Sequence, residues 1–548
     1  MKNPIPSALT LAVTLVLAQA ASAQIQGPST GSTPYLQSTV GANYQTFSIL
    51  TTDNTGVNPD DTVPNLVGGA PYGMGGIPDG LGAFDNGNGT FTLLMNQEIG
   101  NTLGTTRAHG AIGAYVSKWI INKNNLSVAG GTDLMTSVYG WNTTTQASNT
   151  TPTAFAFNRF CSGDLPAVSA FFNPGSGLGT TERIYMHGEE GGATGWQQGT
   201  VVTGVDAGKS YVLGKFNLTT NGSGLTGVGA WENALANPFA QDKTVVIGNN
   251  DGGTGIMSNT LTVYVGTKTN SGTAVDKAGL TNGTQKFVNV AGMSLEVPAG
   301  RGATTPLNTP LQNAAFTLSA TASTTFSRPE DGAWNPLNPS QYYFVTTDRL
   351  DTASDGLGAQ VGQTRLWRLN FSDITDPSAG GTVTLMLDGA TIGGQKTNMF
   401  DNMTVAADGT IFLQEDVGNA AHNGKVWEYD PSTFTGTVNT GTLTMILKHD
   451  PTRFGDVGLA ATAPFNIDEE TSGIIDITGI MAGSPLNTGL PEERWLLSVD
   501  QAHYTTGITA SQVEGGQLFA IHVVPEPSTA LSLMGGLGML LGLRRRRA

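Results

Sequence analysis

The 548-residue sequence contains a single cysteine, Cys161, which excludes an intramolecular disulfide and leaves packing or bound metals to hold the fold. Charged residues are scarce at 12%, roughly half the usual share, which excludes a long helical protein rich in Glu, Lys and Arg. Basic residues are fewer than acidic ones, 26 against 42, and the formal net charge is −16. Because such a chain repels a phosphate backbone, we expect no nucleic-acid partner.

Glycine and apolar side chains are plentiful instead. The chain contains 74 glycines, and hydrophobic residues make up 39% of it, which is enough apolar surface to bury a core. Glycine at this frequency is unfavourable inside helices and is typical of the turns between strands. The composition therefore predicts an all-β fold.

The first 23 residues have the pattern of an export signal. Lys2 precedes an apolar run over residues 8–17, and small residues follow at positions 21–23. This arrangement is typical of a secretory signal peptide that is cleaved after Ala23. We therefore predict that residues 1–23 are a signal peptide and that the mature chain begins at Gln24.

The far end of the chain combines a Val524-Pro-Glu-Pro sequence, an apolar stretch over residues 530–543 and four arginines at 544–547. As a helix, residues 528–543 would span about 24 Å, close to the thickness of a bilayer core. This pattern resembles the PEP-CTERM sorting signal of Gram-negative bacteria. The resemblance implies an anchor helix within residues 524–548, a processing protease, and delivery to the cell surface or extracellular matrix, with membrane contact through this tail alone.

Six segments of β-type pattern each run into one or two acidic residues, which indicates an internal repeat. They are residues 90–98, 183–190, 244–251, 342–348, 410–416 and 495–500. Each is followed by a second strand pattern that carries an aromatic residue. These are residues 114–119, 210–216, 261–265, 365–369, 425–429 and 517–521.

Repeated strand pairs over about 500 residues are typical of β-propeller blades, whose sheets pack around a central channel. We predict that residues 24–523 form a propeller domain with six blades between about residues 40 and 523. The acidic strand ends are then expected to converge at one mouth of the channel, because only the end of a strand offers a fixed direction there. The competing architecture is a pair of β-sandwich domains.

Carboxylates gathered at a channel mouth suit hard cations such as calcium, which take six to eight oxygen ligands. Glu189 with Glu190, and Glu415 with Asp416, are the densest pairs in the repeat. Cys161 has two interpretations. It is either a small buried apolar side chain or, as a thiolate, a ligand for iron or zinc.

Seven segments, in this order along the chain, resemble the PhoX family of bacterial alkaline phosphatases. They are residues 75–82, 94–98, 159–163, 187–190, 231–233, 327–331 and 399–402. Members of that family are exported propellers that hold iron and calcium in the channel and hydrolyse phosphate monoesters. The resemblance therefore implies a phosphate monoester as substrate, with calcium and iron as cofactors.

The resemblance also implies roles for individual residues. Cys161 would bind iron as a thiolate, and Glu232 and Glu330 would bind or bridge iron. Arg328 would grip the phosphate beside Glu330, and these two residues are the expected catalytic pair. The residues expected to contribute calcium ligands or to line the channel mouth are Glu98, Glu189, Glu190, Asp401 and Asn402.

Three functions remain open from the sequence. The first is an exported, metal-dependent phosphatase acting on phosphate monoesters. The second is a non-catalytic, calcium-binding propeller of the cell surface or extracellular matrix. The third is a propeller hydrolase that acts on another ester, such as phytate or a lactone.

Overall fold

The computed structural model describes residues 24–52, 61–191, 195–217, 229–297, 312–348, 350–354, 360–362, 364–392, 394–417, 423–456 and 458–524. The predicted signal peptide, 1–23, and residues 525–548 of the predicted sorting signal lie outside this set. Within the described residues, no helix has the length and apolar character needed to cross a membrane.

Within the described residues, six sheets of four or five main strands follow one another along the chain, and we number them blades 1 to 6. Neighbouring strands of a blade are antiparallel, except that the outermost strands of blades 2 and 6 pair in parallel. From the innermost strand outward, blade 1 consists of Pro78–Asp85, Thr90–Gln97, Tyr115–Asn122 and Val128–Asp133. Blade 2 consists of Phe160–Asp164, Ile184–Glu189, Gln197–Val201, Lys209–Val212 and Ser137–Tyr139. Blade 3 consists of Trp231–Ala236, Lys243–Asn250, Thr260–Thr267 and Thr284–Val290.

The second half of the chain repeats the pattern. Blade 4 consists of Pro329–Trp334, Gln341–Thr346, Arg365–Phe371 and Gly381–Asp388. Blade 5 consists of Phe400–Val405, Ile411–Glu415, Lys425–Asp430, Thr442–His449 and Leu36–Ser38. Blade 6 consists of Glu470–Asp476, Arg494–Gln501, Gly516–Val523, Tyr44–Thr52 and Gln24–Gln26. Strand Ala314–Ser319 pairs with the outer strands of blades 3 and 4, which joins them into one nine-stranded sheet.

Small elements decorate the connections between these strands. Five short hairpins are Thr62–Val63 with Tyr72–Gly73, Trp141–Asn142 with Ala147–Ser148, Phe172–Asn173 with Leu178–Gly179, Leu350–Ser354 with Gln360–Gly362, and Thr391–Ile392 with Gln395–Lys396. Two single-turn α-helices span Ala274–Lys277 and Pro451–Phe454. Five 3₁₀ turns span Val168–Ala170, Gly214–Phe216, Gly255–Met257, Pro377–Ala379 and Pro431–Thr433.

The blades form a closed ring around a channel. Each innermost strand contacts the innermost strand of the next blade, including that of blade 6 against that of blade 1. The ring is closed by the N-terminal strand Tyr44–Thr52, which pairs with Gly516–Val523 in blade 6. Because radial repetition leaves only short, protected sheet edges, the fold is stable without a covering helical layer. The prediction of an all-β, six-bladed propeller is confirmed.

Apolar layers between neighbouring blades make up the core. Met186 of blade 2 packs in one cluster with Val246 of blade 3, and Leu93 of blade 1 packs in another with Leu497 of blade 6. All four side chains are fully buried. Burying a side chain of this size contributes about 1.5–3 kcal/mol, so the blades are held together mainly by apolar contacts.

The sequence repeat corresponds to real strands. The six segments that end in acids are the second strand of every blade, as predicted. The aromatic segments are the third strand in five blades. Blade 2 differs, because Gln197–Val201 takes the third place and the segment 210–216 contributes the fourth strand, Lys209–Val212.

The second and innermost strands are antiparallel, so the ends of the second strands and the starts of the innermost strands meet at one mouth of the channel. The opposite mouth opens into a cavity of about 350 Å³ that is lined by the later halves of the innermost strands. Asp164, Asp331 and Asp476 lie on this second cavity. The two ends of the channel are therefore chemically distinct sites.

Candidate metal centre in the channel mouth

A bulge interrupts the pairing of every innermost strand with its neighbour. A bulge leaves a residue without a ladder partner and redirects its side chain. In five blades the bulge contains a residue with a metal-binding side chain. These residues are Asp79, Cys161, Glu232, Glu330 and Asp401.

Blade 6 has glycine at the bulge, and the geometry explains why. Gly473 has a φ of 42°, and a Cβ added there would lie 2.5 Å from the carbonyl oxygen of Asp79. Such a distance is far below van der Waals contact, so no side chain fits. The innermost strands of blades 6 and 1 approach each other closely at this point, and the ring offers five donor-bearing bulges.

The donor side chains form three overlapping groups. Within each group, the ligand atoms all lie within 4.8 Å of one another. The groups are Asp79 with Glu98 and Cys161; Cys161 with Glu190 and Glu232; and Glu232 with Glu330 and Asp401. Because Cys161 and Glu232 are each shared by two groups, the seven residues form one continuous set, which we call the donor cluster.

The first acidic end of the donor cluster is balanced by Arg159. Its Nη2 lies 2.6 Å from Oε1 of Glu98 and also forms an ion pair with Glu190. The second carboxylate oxygen of Glu98 accepts a hydrogen bond of 2.9 Å from Gln501. Burial would raise the pKa of Glu98, but the Arg159 charge and the hydrogen bonds from Cys161 and Gln501 together outweigh burial, and the pKa lies below its usual value.

The other end is balanced by Arg328. Its Nε donates to both carboxylate oxygens of Asp251 at 3.0 Å, and its Nη2 donates to one of them at 2.7 Å. The same Nη2 lies 2.6 Å from Glu330. This paired geometry fixes the plane of the guanidinium at the channel mouth.

The electrostatics of the donor cluster favour the neutral forms of its acids. Burial, followed by repulsion from neighbouring carboxylates, raises the pKa values of Asp79, Glu232, Glu330 and Asp401 well above the usual range. Burial, followed by repulsion from Glu190, Glu232 and Glu98, raises the pKa of the Cys161 thiol. The thiol donates a hydrogen bond of 3.2 Å to Glu190. Bound cations would reverse this preference, since ligands bind metals in their deprotonated forms.

Glu189 and Glu190 are neighbours in sequence but have different surroundings. The carboxylate of Glu189 accepts hydrogen bonds from the backbone N–H groups of Asn158 and Trp196, at 2.9 and 3.2 Å. Glu190 belongs to the donor cluster and pairs with Arg159. The expected calcium-binding role of Glu189 stays a prediction.

Asn402 lies directly beneath the donor cluster. Its side-chain amide donates to Asp79 at 3.0 Å, and its side-chain oxygen accepts from Ser472 at 3.1 Å. On the neighbouring blades, Asn233 donates to Asp331 at 2.7 Å. These buried contacts cross between blades and separate the donor cluster from the cavity at the opposite mouth.

Two acidic strand ends do not reach the channel as the repeat suggested. The carboxylate of Asp348 is buried beside Arg365 at 3.4 Å, and that of Asp500 accepts a hydrogen bond of 2.6 Å from buried His449. Burial alone would lower the pKa of His449, but the charge of Asp500 and its hydrogen bond to the imidazole act against burial, and the pKa is raised. The Asp500–His449 pair joins blades 6 and 5, whereas the Asp348–Arg365 pair lies within blade 4. Both pairs stabilise the fold, because a buried carboxylate with a cationic partner resists separation.

The sequence patterns did not single out Asp79, Arg159 and Asp251 as site residues. A usable signal was present at the start of the innermost strands, where a large apolar residue or proline precedes the donor. The pairs are Pro78-Asp79, Phe160-Cys161, Trp231-Glu232, Pro329-Glu330 and Phe400-Asp401. The repeat of acidic segments found in the sequence lies on the second strand of each blade, one strand farther from the channel.

The adjacent glutamates permit a matched test of the donor cluster. We expect Glu190→Gln to reduce bound metal, because it removes a charged donor from the group with Cys161 and Glu232. Glu189→Gln should keep the metal and lower the melting temperature, since the two backbone N–H groups donate to different carboxylate oxygens and an amide has only one oxygen to accept them. Elemental analysis and thermal unfolding of both variants measure these effects. Equal metal loss in both variants would contradict the assignment.

The overall fold is also found in a solved structure. The chain shares its fold with PhoX. The PhoX of Pseudomonas fluorescens, solved in complex with vanadate, a transition state analogue, matches over 92% of this chain and 98% of its own. The TM-score is 0.52 and the sequence identity is 11%. At this identity the likeness to PhoX concerns the fold alone.

The other comparisons add little to the likeness with PhoX. The NanB sialidase of Streptococcus pneumoniae, solved with a chlorobenzylammonio ethanesulfonate ligand, covers 86% of this chain and 70% of its own at 9% identity. Its TM-score of 0.31 carries no argument. No protein-family model and no curated protein sequence matches the chain.

Proposed function

We propose that the protein is a metal-dependent hydrolase of phosphate monoesters and that the donor cluster is its active site. The observation that carries this proposal is the continuous set of buried metal donors with an arginine at each end. The fold shared with PhoX, whose structure holds a transition state analogue, supports it. We further propose that the protein acts at the cell surface or in the extracellular matrix, where the sorting signal would direct it.

The donor chemistry fits the cofactors implied by the resemblance. The group of Glu232, Glu330 and Asp401 offers oxygen alone, which suits calcium. The two groups that contain Cys161 add a soft sulfur ligand, which suits iron. Several like charges buried together cost folding free energy without a cation, so the cluster is better explained by metal binding than by stability.

In this proposal, Arg328 and Glu330 form the catalytic pair. Asp251 holds the Arg328 guanidinium in one orientation, so its N–H groups can bind phosphate oxygens and offset charge that develops on them. The bound cations would polarise the phosphoryl group and supply an activated nucleophile. The hydrogen bonds of Asn402 with Asp79 and Ser472 keep the floor of the site fixed and limit solvent from below.

The proposal is tested by phosphate release. The full chain, loaded with calcium and iron, is expected to liberate p-nitrophenol from p-nitrophenyl phosphate, and chelation should abolish the reaction. Arg328→Ala should raise KM and lower kcat, because one bidentate donor to phosphate is worth about 1.5–3 kcal/mol. Protein that carries both metals by elemental analysis but shows no turnover would refute the proposal.

That negative outcome would favour the second function, a non-catalytic calcium-binding propeller. The oxygen-only group of Glu232, Glu330 and Asp401 is the observation that supports it. In that case calcium alone should raise the melting temperature, because it binds the native state and not the unfolded chain. A processing protease that recognises the tail is a further proposed partner in either case.

A further inference from the structure

Four blades share an unusual backbone turn directly before the innermost strand. Ile77, Arg159, Arg328 and Met399 have φ values of 50°, 53°, 60° and 43°. Non-glycine residues seldom adopt this left-handed conformation, so its recurrence marks an equivalent turn on each blade. In blades 2 and 4 the residue at this turn is arginine. Equivalent turns therefore place two guanidiniums at the same channel mouth.

The two arginines are held differently. Arg328 makes three hydrogen bonds to Asp251 and an ion pair with Glu330, and 18% of its side chain is exposed. Arg159 forms ion pairs with Glu98 and Glu190 at Nη2 and also interacts with Cys161, and 49% of its side chain is exposed. A guanidinium has five N–H groups, so these contacts leave Arg159 with donors for a further anion.

The arginines also lie on different sides of the donor cluster. Arg159 pairs with Glu190, and Arg328 pairs with Glu330. Between these acids is Glu232, whose ligand atom lies within 4.8 Å of both partners. Glu232 belongs to blade 3, so Arg159 at the start of blade 2 and Arg328 at the start of blade 4 approach the channel mouth from either side of that blade.

We propose that Arg159 binds a second anionic group of the substrate, so that the preferred substrates are phosphate monoesters carrying another phosphate or a carboxylate. This inference rests on the proposed function, in which Arg328 binds the phosphate that is hydrolysed. Cations bound to Glu98 and Glu190 would neutralise the charges that Arg159 now balances. Its own positive charge then becomes available at the mouth of a protein whose net charge of −16 otherwise repels such substrates.

The test uses two substrates that differ in one group. Glycerol 3-phosphate and 3-phosphoglycerate have the same carbon skeleton, but the second has a carboxylate where the first has an alcohol. The metal-loaded wild-type protein should have a kcat/KM about tenfold or more higher for 3-phosphoglycerate, since a charge-assisted hydrogen bond is worth at least that factor. In Arg159→Gln the ratio should fall to about one, whereas Arg159→Lys should keep part of it.

The ratio of the two kcat/KM values cancels effects on the shared chemical step and on metal content. A matched control is Arg183→Gln. Arg183 directly precedes the first residue of the second strand of the same blade, at the end of that strand opposite the channel mouth. This variant should keep the wild-type ratio. A wild-type ratio near one, or a ratio unchanged in Arg159→Gln, would overturn this inference alone. Hydrolysis of neither substrate by metal-loaded protein would overturn the proposed function and this inference together.

Discussion

Glu232→Gln is expected to lower kcat/KM for p-nitrophenyl phosphate by about 10³-fold or more. Glu232 is shared by two of the three donor groups, so its loss weakens two cation sites at once. The same substitution should stabilise the metal-free protein. Burial and the neighbouring acids Glu330 and Asp79 raise the pKa of Glu232, and a neutral amide of the same size removes that repulsion.

Opposite changes in activity and stability exclude misfolding as the cause of lost activity. A suitable control is Asp164→Asn, which removes another buried acid but lies at the cavity on the opposite mouth of the channel. It should change kcat/KM less than threefold, roughly the effect of a substitution outside the site. Steady-state kinetics, metal analysis and thermal unfolding of both variants provide the comparison. An active Glu232→Gln protein would show that the donor cluster is not the catalytic site.

Removing the metals should reverse the pH dependence of stability. In the metal-free protein, burial raises the pKa of Glu190 from 4.5 to about 7 and that of Glu470 from 4.5 to about 8. The folded state then binds more protons than the unfolded chain between pH 4.5 and 8. The free energy of unfolding is therefore highest below pH 4.5 and falls as the pH rises through this window. With metal bound, Glu190 must be deprotonated, so stability increases over the same window.

The two forms should differ most at pH 8. A cation present at about a thousand times its dissociation constant stabilises the native state by about 4 kcal/mol at each site. Calorimetric melting temperatures at pH 5, 6.5 and 8, with calcium and with EDTA, measure the two slopes. In the presence of EDTA, Glu190→Gln should have a shallower slope than wild type. A melting temperature that rises with pH in EDTA would contradict the prediction.

The architecture could be predicted because a propeller repeats one pattern. Each second strand runs into an acid, and the third strand of five blades carries an aromatic residue that packs between blades, such as buried Trp367 and Trp427. The third strand of blade 2 was missed because Gln197–Val201 has no aromatic residue and several polar side chains, although all of them are buried. Local composition does not reveal burial that is imposed by neighbouring blades.

The site was harder to predict, for a physical reason. Its donors come from five blades far apart in the sequence, and for the five donors on innermost strands a bulge decides which face the side chain occupies. The resemblance to PhoX indicated Cys161, Glu232, Glu330 and Asp401, and the structure brings these residues together. Arg159 was overlooked because a lone arginine before a strand has no sequence signature. Its significance depends on a positive φ and on ion pairs that no periodicity encodes.

Closure of the ring by the strand Tyr44–Thr52 has a consequence for the order of assembly. The backbone N–H of Tyr35 donates to the side chain of Gln517, which is 482 residues away, so this contact forms late in folding. The donors are spread over five blades, and half of the chain cannot complete the set. Metal uptake should therefore follow closure of the circle, and a chain interrupted during synthesis or clipped by a protease would remain unloaded. Bound cations would then distinguish a complete molecule from its fragments.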